Sequence, residues 1–88
     1  MSMVGADVPA LRNLANVLVG RARKVEATKN QMTALIQSLP WVGPDRDQFV
    51  ADWNDVHHPN LIRLIDDLTD ASGRANYHAD TQEAASRS

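Results

Sequence analysis

The chain has 88 residues, no cysteine and a formal net charge of −2 at pH 7. A chain of this length forms one domain and buries only about 60% of its unfolded surface, so it is marginally stable on its own. Without cysteine no disulfide can add stability, which leaves association with another chain. A slightly acidic chain also lacks the basic excess of nucleic-acid-binding proteins, so no nucleic-acid partner is expected.

No apolar run is long enough to cross a bilayer, so we expect no membrane-spanning segment. Residues 1–6 are small and show no periodicity, and we expect them to be frayed. They also lack the basic stretch and apolar core of a cleaved signal peptide. A protein with this N-terminus would leave the cell by another route.

The first predicted element is a helix over residues 8–39. Asp7 can cap its N-terminus, and Pro9 falls in the first turn, where its missing N–H costs nothing. Within this helix, one series of residues recurs at steps that alternate between four and three, and Lys29 is its one polar member. The apolar members are Leu11, Ala15, Leu18, Ala22, Val25, Met32, Ile36 and Leu39. This heptad spacing predicts a seam that packs against another helix.

A stripe of small residues lies beside this seam, at Ala10, Val17, Gly20, Ala27 and Ala34. A glycine inside a helix costs about 1 kcal/mol relative to alanine. Close approach by another helix is one explanation for Gly20, and a tolerated glycine on a solvated face is the other.

Residues 40–44 (Pro-Trp-Val-Gly-Pro) are predicted to form a turn, because two prolines and a glycine cannot continue a helix. Gly43 can adopt a positive φ, and Asp45 is expected to cap the helix that follows. Trp41 is unusual in a turn. It either covers the open end of a helical hairpin or presents its ring to a partner.

The second predicted helix covers residues 45–82, with a kink near Pro59 because proline removes a helical hydrogen bond. An alternative is that a new helix begins at Asn60. Apolar residues recur at Phe49, Val50, Trp53, Val56, Leu61, Leu64, Ile65, Leu68, Ala71 and Ala75. Residues 83–88 are expected to form a disordered tail.

Basic residues are concentrated in the first helix and acidic residues in the second. Residues 7–39 carry five basic and two acidic side chains, a net charge of +3, and residues 45–88 carry four and nine, a net charge of −5. Folding the chain about Val42 would bring Arg21 near Asp66. Each exposed pair adds only about 0–1 kcal/mol, so the asymmetry favours the antiparallel pairing more than it adds stability.

These elements predict an all-α fold, an antiparallel two-helix hairpin that assembles as a dimeric four-helix bundle. One hairpin leaves half of each apolar surface uncovered, and a second hairpin would cover it. We expect the dimer interface to include Leu11, Leu18, Val25, Met32, Phe49 and Trp53. The partner can be an identical chain or a different one.

No group of residues predicts catalysis, so the chain is not expected to be an enzyme or to bind a cofactor. It has no cysteine nucleophile and no glycine-rich phosphate loop. The nearest candidate for a metal site is the group Asp52, Asp55, His57 and His58. Adjacent histidines on a helix point in different directions, so we predict no metal site. A small metal-binding protein is the alternative.

The turn Trp41-x-Gly43, near the midpoint of a short cysteine-free helical chain, resembles that of the WXG100 (ESAT-6-like) family. Members of that family are substrates of type VII secretion in actinobacteria and Firmicutes. The resemblance implies a secreted protein without a cleaved signal peptide. It also implies a dimer with another WXG100-like protein, contact with the secretion machinery, and an export-signal role for Trp41 and Gly43.

Many secreted members of the family carry a tyrosine followed four positions later by an acidic residue, and the resemblance implies that this motif sits beside the partner's turn. In this chain Tyr77 is followed by Asp80 at the third position and Thr81 at the fourth. The motif is therefore degenerate. This departure favours the alternative of a cytoplasmic adaptor or chaperone partner for a larger type VII effector.

Overall fold

The computed structural model describes residues 7–87 of the chain. Within this range the chain forms helix α1 (Val8–Ser38), helix α2 (Pro44–Asp52), a π-helical turn (Trp53–His57) and helix α3 (His58–Arg87), and no strand. Helix α1 packs along α3, which confirms the all-α prediction and the two packed helical arms. The hairpin is a rod of 66 × 17 × 14 Å. The fraying expected for residues 1–6 lies outside the described residues.

Helix α1 begins and ends close to the predicted residues. Asp7 is its N-cap residue, and the Asp7 carbonyl accepts a hydrogen bond from the Leu11 N–H at 3.0 Å, while the Asp7 side chain makes no capping bond. The helix ends at Ser38, one residue before the predicted end. Leu39 has extended backbone angles (φ −65°, ψ 131°), because the ring of Pro40 disfavours the helical conformation in the residue before it.

Gly43, and not Asp45 as predicted, is the N-cap residue of α2. Gly43 has φ 123° and ψ 179°, which side chains rarely tolerate, and its carbonyl accepts the Asp47 N–H at 3.0 Å. Pro44 then occupies the first helical position, where its fixed φ fits the helix and its missing N–H is not needed. Asp45 and Asp47 lie in the first turn, where the helix dipole favours negative charge.

The second arm stays helical through Pro59, and its irregularity is the π-helical turn that comes just before the proline. In this turn the His58 N–H bonds to the Trp53 carbonyl, five residues earlier. Pro59 cannot donate to the Asp55 carbonyl, and a π-helical turn is a common way to accommodate such a loss. Asn60 lies inside α3, so the alternative in which a new helix begins there is wrong.

The tail is also more ordered than predicted. Helix α3 continues to Arg87, so residues 83–87 are helical, and Ser88 lies outside the described residues. The side chain of Glu83 accepts a hydrogen bond from Arg12 at 2.6 Å. This contact with α1 gives the last turns of α3 a partner that the local sequence did not reveal.

The core between the two arms is narrow and rich in alanine. The predicted seam of α1 faces α3, but Met32 and Leu39, near the turn, remain exposed. The buried residues of the described chain are Ala15, Ala22, Ile36, Trp53, Ser72, Ala75 and Ala79. The Ser72 hydroxyl donates to the Ala15 carbonyl at 2.7 Å, which satisfies this polar group inside the core.

The pairing of the two arms differs from a fold about Val42. That fold would set residue 69 opposite Ala15, whereas Ser72 contacts Ala15, three residues further along. The π-helical turn contributes to the shift, because it adds a residue to the second arm. This register sets residue 66 opposite Arg21, yet Arg21 and Asp66 form no ion pair, and the interhelical ion pairs of residues 7–87 are those of Arg12.

Candidate interaction surfaces

The tip of the hairpin presents large apolar side chains to solvent. Trp41 is 40% exposed and packs against Phe49, with ring centroids 6.0 Å apart and ring planes at 58°. Val42 is 86% exposed. Trp41 therefore covers part of the hairpin end and leaves the rest of its ring accessible. Its indole N–H makes no hydrogen bond within the part of the chain that the structure describes.

Trp53, predicted at the dimer interface, belongs to the core of the hairpin itself. It is only 5% exposed, and its indole Nε1 donates to the Thr33 hydroxyl at 3.2 Å. That hydroxyl in turn donates to the Lys29 carbonyl at 2.9 Å. This chain of bonds ties the second arm to α1, so Trp53 positions the two arms.

An apolar groove runs along one flank of the hairpin. Its first section has a volume of about 570 Å³ and is lined by Met32, Phe49, Trp53, His57, Asn60, Leu61 and Leu64. Its second section, of about 320 Å³, is lined by Arg21, Lys24, Val25, Thr28, Leu61 and Leu64. Because the two sections share Leu61 and Leu64, they form one continuous surface, which we call the long groove.

The long groove contains some of the predicted interface residues and omits others. Met32 and Phe49 are exposed in it, and Val25 is half-buried and lines its second section. Leu11 and Leu18 are half-buried on the seam of α1. The heptad pattern showed an apolar helix face without showing which part the hairpin itself would cover.

Two exposed residues of α1 extend the apolar surface beyond the groove. Leu14 and Val17 are each 47% exposed, and Val17 lies with Arg21 and Lys24 around a further small depression. They stand on the face next to the predicted seam. Leu14 and Val17 are three residues apart, and Arg21 follows Val17 by four. This helical spacing places the three residues on one face and could have identified that face from the sequence.

The stripe of small residues makes no close approach to α3. A Cβ atom built on Gly20 would meet nothing within 4 Å, and Ala10, Ala27 and Ala34 are exposed. Within the hairpin, Gly20 is thus a glycine tolerated on an open face.

The degenerate tyrosine motif does not form one cluster of side chains. Tyr77 is exposed on α3, the Thr81 hydroxyl donates to the Tyr77 carbonyl at 2.9 Å, and Asp80 accepts from Arg12 at 2.6 Å. Tyr77 follows Pro44 by 33 residues, or about 50 Å at the rise of a helix. One chain therefore cannot bring Tyr77 and the Trp41 turn together.

Arg12 joins the far ends of the two arms in a cluster that the sequence did not predict. Its Nη2 donates to Asp80 and to Glu83, each at 2.6 Å, and its Nη1 donates to the Asn76 carbonyl and side-chain oxygens at 3.3 and 3.2 Å. The hydrogen bonds to Asp80 and Glu83 raise the pKa of Arg12 above its ordinary value. The cluster fixes the pairing of α1 with the end of α3.

The candidate metal ligands are not gathered into a site. Across residues 7–87 no three histidine or acidic side chains lie close enough to hold a metal ion. His57 and His58 instead lie beside the Trp53 ring, at centroid distances of 6.4 and 6.1 Å. No helix in the described range is both long and apolar enough to cross a membrane.

No family model, curated protein or solved structure matches this chain. Inferences about its function therefore rest on the residues themselves and on where the fold positions them.

Proposed function

We propose that the chain is a non-enzymatic interaction protein of the WXG100 type, which pairs with another helical hairpin and leaves the cell through a type VII secretion system. The observation that carries this proposal is the uncovered long groove, with Met32, Phe49 and Leu64 exposed along it. A chain of this size gains stability by covering such a surface. A second hairpin, from an identical or a different chain, would complete a four-helix bundle.

The W-x-G turn supports the export part of the proposal. The conformation of Gly43 requires a glycine, and Trp41 keeps part of its ring accessible beside Phe49. In a bundle of antiparallel hairpins, the turn of one chain would lie toward the far end of its partner, on the side of Tyr77. Trp41 and Gly43 of one chain with Tyr77 of the other would form the recognition surface for the secretion machinery.

Replacement of Trp41 by alanine tests the role of the turn. We expect Trp41→Ala to keep the helices and the assembly, because the residue is partly exposed, and to abolish export. Val42→Ala is the matched control, since it removes a more exposed apolar side chain from the same turn. Circular dichroism, sedimentation velocity and quantitative mass spectrometry of the culture medium supply the readouts. Unchanged export of Trp41→Ala would remove this residue from the signal.

A second candidate function is that of a cytoplasmic adaptor or chaperone partner for a larger type VII effector. Two contacts favour it. The Asp80 carboxylate, at the third position, is paired with Arg12. The fourth position is Thr81, whose hydroxyl bonds to the backbone of its own helix, so the motif offers no free acidic side chain. This candidate predicts that the protein stays in the cell lysate and co-purifies with the effector.

A further inference from the structure

The section of the long groove farther from the turn carries two unpaired positive charges. Arg21 and Lys24 line this section together with the apolar residues Val25, Leu61 and Leu64. Neither residue forms an ion pair within residues 7–87, whereas Arg12 of the same helix pairs with α3. Whatever covers the groove must therefore accommodate two cations among apolar side chains.

These cations lie near the centre of the exposed face of α1. Helix α1 covers Val8–Ser38, so Arg21 and Lys24 stand on either side of its midpoint. Exposed apolar residues flank them toward both ends of the helix, Leu14 and Val17 on one side and Met32 and Leu35 on the other. The exposed face of α1 is thus apolar, then basic, then apolar.

This pattern disfavours a second copy as the partner. In an antiparallel pair of identical hairpins related by a two-fold axis, the middle of α1 crosses the middle of α1 in the other copy. Four cations would then meet, two from each chain. The carboxylate nearest by spacing is Asp67, one helical turn after Leu64, and it supplies only one negative charge per chain. Like charges brought together at an interface select against that pairing.

We infer that the long groove fits a different chain, a helical hairpin whose facing helix is apolar toward both ends and carries aspartate or glutamate at its middle, opposite Arg21 and Lys24. Charge complementarity is the argument for this occupant, since carboxylates there would pair with both cations as the apolar flanks become buried. The inference rests on the proposed assembly of two hairpins and names the partner in it.

A charge-reversed copy of the chain can serve as the acidic partner. The variant Arg21→Glu/Lys24→Glu keeps the apolar flanks and replaces the central cations by carboxylates. Sedimentation velocity and fluorescence titration would give the dissociation constants of wild type with itself and of wild type with the variant. We expect the mixed pair to be tighter by about tenfold or more, because two groove pairs form where repulsion acted before. Circular dichroism of each protein verifies the helical fold.

A control variant separates the groove from net charge. Arg23→Glu/Arg87→Glu makes the same change in total charge, but Arg23 lies on the opposite flank beside Val19 and Glu26, and Arg87 is at the end of α3. Its mixture with wild type should gain much less. An equal gain for the control would overturn the inference, because net charge would then explain the affinity.

The remaining outcomes distinguish this inference from the proposed function. If wild type binds itself as tightly as it binds the charge-reversed variant, the inference fails while assembly of two hairpins stands. If no combination associates at concentrations up to about 100 µM, which corresponds to a weak complex, the inference fails because matched carboxylates do not give binding, and the proposed function loses the identical chain as its partner.

Discussion

The two halves of the hairpin differ in how completely they bury their apolar surface. In the half away from the turn, small residues close the interface, with Ala79 0% and Ala15 1% exposed, and Arg12 bridges the helices with polar bonds. In the half near the turn, Phe49 and Leu35 remain exposed although the chain has folded. The contact between the helices is closed in the first half, where Leu14 and Val17 are exposed on the outer face of α1, whereas the second half leaves an apolar groove open between the helices.

Trp53 is the exception in the open half, and its loss should have the largest effect on stability. Trp53→Ala removes a buried ring and the bond to Thr33, and we expect it to cost about 3–5 kcal/mol of unfolding free energy. Urea unfolding followed by circular dichroism measures this. Trp41→Ala is the control and should cost much less. Equal losses would contradict the assignment of Trp53 to the core and Trp41 to the surface.

Overpacking the closed half should have the next largest effect. Ala79 is fully buried where the helices approach closely, so Ala79→Leu should destabilise the hairpin by about 1–3 kcal/mol. Ala84→Leu, on the exposed side of the same helix, should leave the thermal unfolding midpoint nearly unchanged. If Ala79→Leu does not lower the thermal unfolding midpoint, the helices of this half pack less closely than we describe.

The buried hydroxyl of Ser72 should contribute a smaller amount. Ser72→Ala deletes its bond to the Ala15 carbonyl at a cost of about 1 kcal/mol, part of which the better helix propensity of alanine offsets. Thermal unfolding compared with Thr69→Ala, whose hydroxyl bonds within its own helix, isolates the interhelical bond. If the two variants are equally stable, the Ser72 hydroxyl does not contribute to the register between α1 and α3.

The Arg12 cluster should give the smallest change, because its charged side chains are partly exposed to solvent, which weakens the ion pairs. Arg12→Gln should lower the thermal midpoint slightly at low salt, and the difference from wild type should shrink as salt screens the pairs. Arg23→Gln, which removes a cation that forms no ion pair in the described range, should show no such dependence. A difference that persists at high salt would indicate a role for Arg12 other than ion pairing.

The local features of this fold follow from sequence, and the long-range ones do not. The heptad seam and the turn at residues 40–44 could be predicted because spacing, proline and glycine act over a few residues. The Arg12 cluster and the burial of Trp53 depend on the register between the arms, and that register depends on the turn and on the π-helical residues. A fold taken about Val42 was therefore wrong by three residues.

An exposed apolar surface could be predicted from the sequence, but the full set of residues that line it could not. An amphipathic hairpin too small to bury its apolar residues indicates an interface, and Met32 and Phe49 were assigned to it from spacing alone. Leu61 and Leu64 were read as part of the second helix without an interface role. They line the long groove because the observed register sets them beside Val25 and Thr28.

We propose that the exposed apolar surface near the turn serves assembly for type VII export. Quantitative mass spectrometry of the protein in culture medium and cell lysate tests it most directly, in a parent strain and in one that lacks the type VII motor ATPase. We predict protein in the medium of the parent strain and its loss from the medium in the mutant. Protein confined to the lysate in both strains would contradict export and favour the adaptor function.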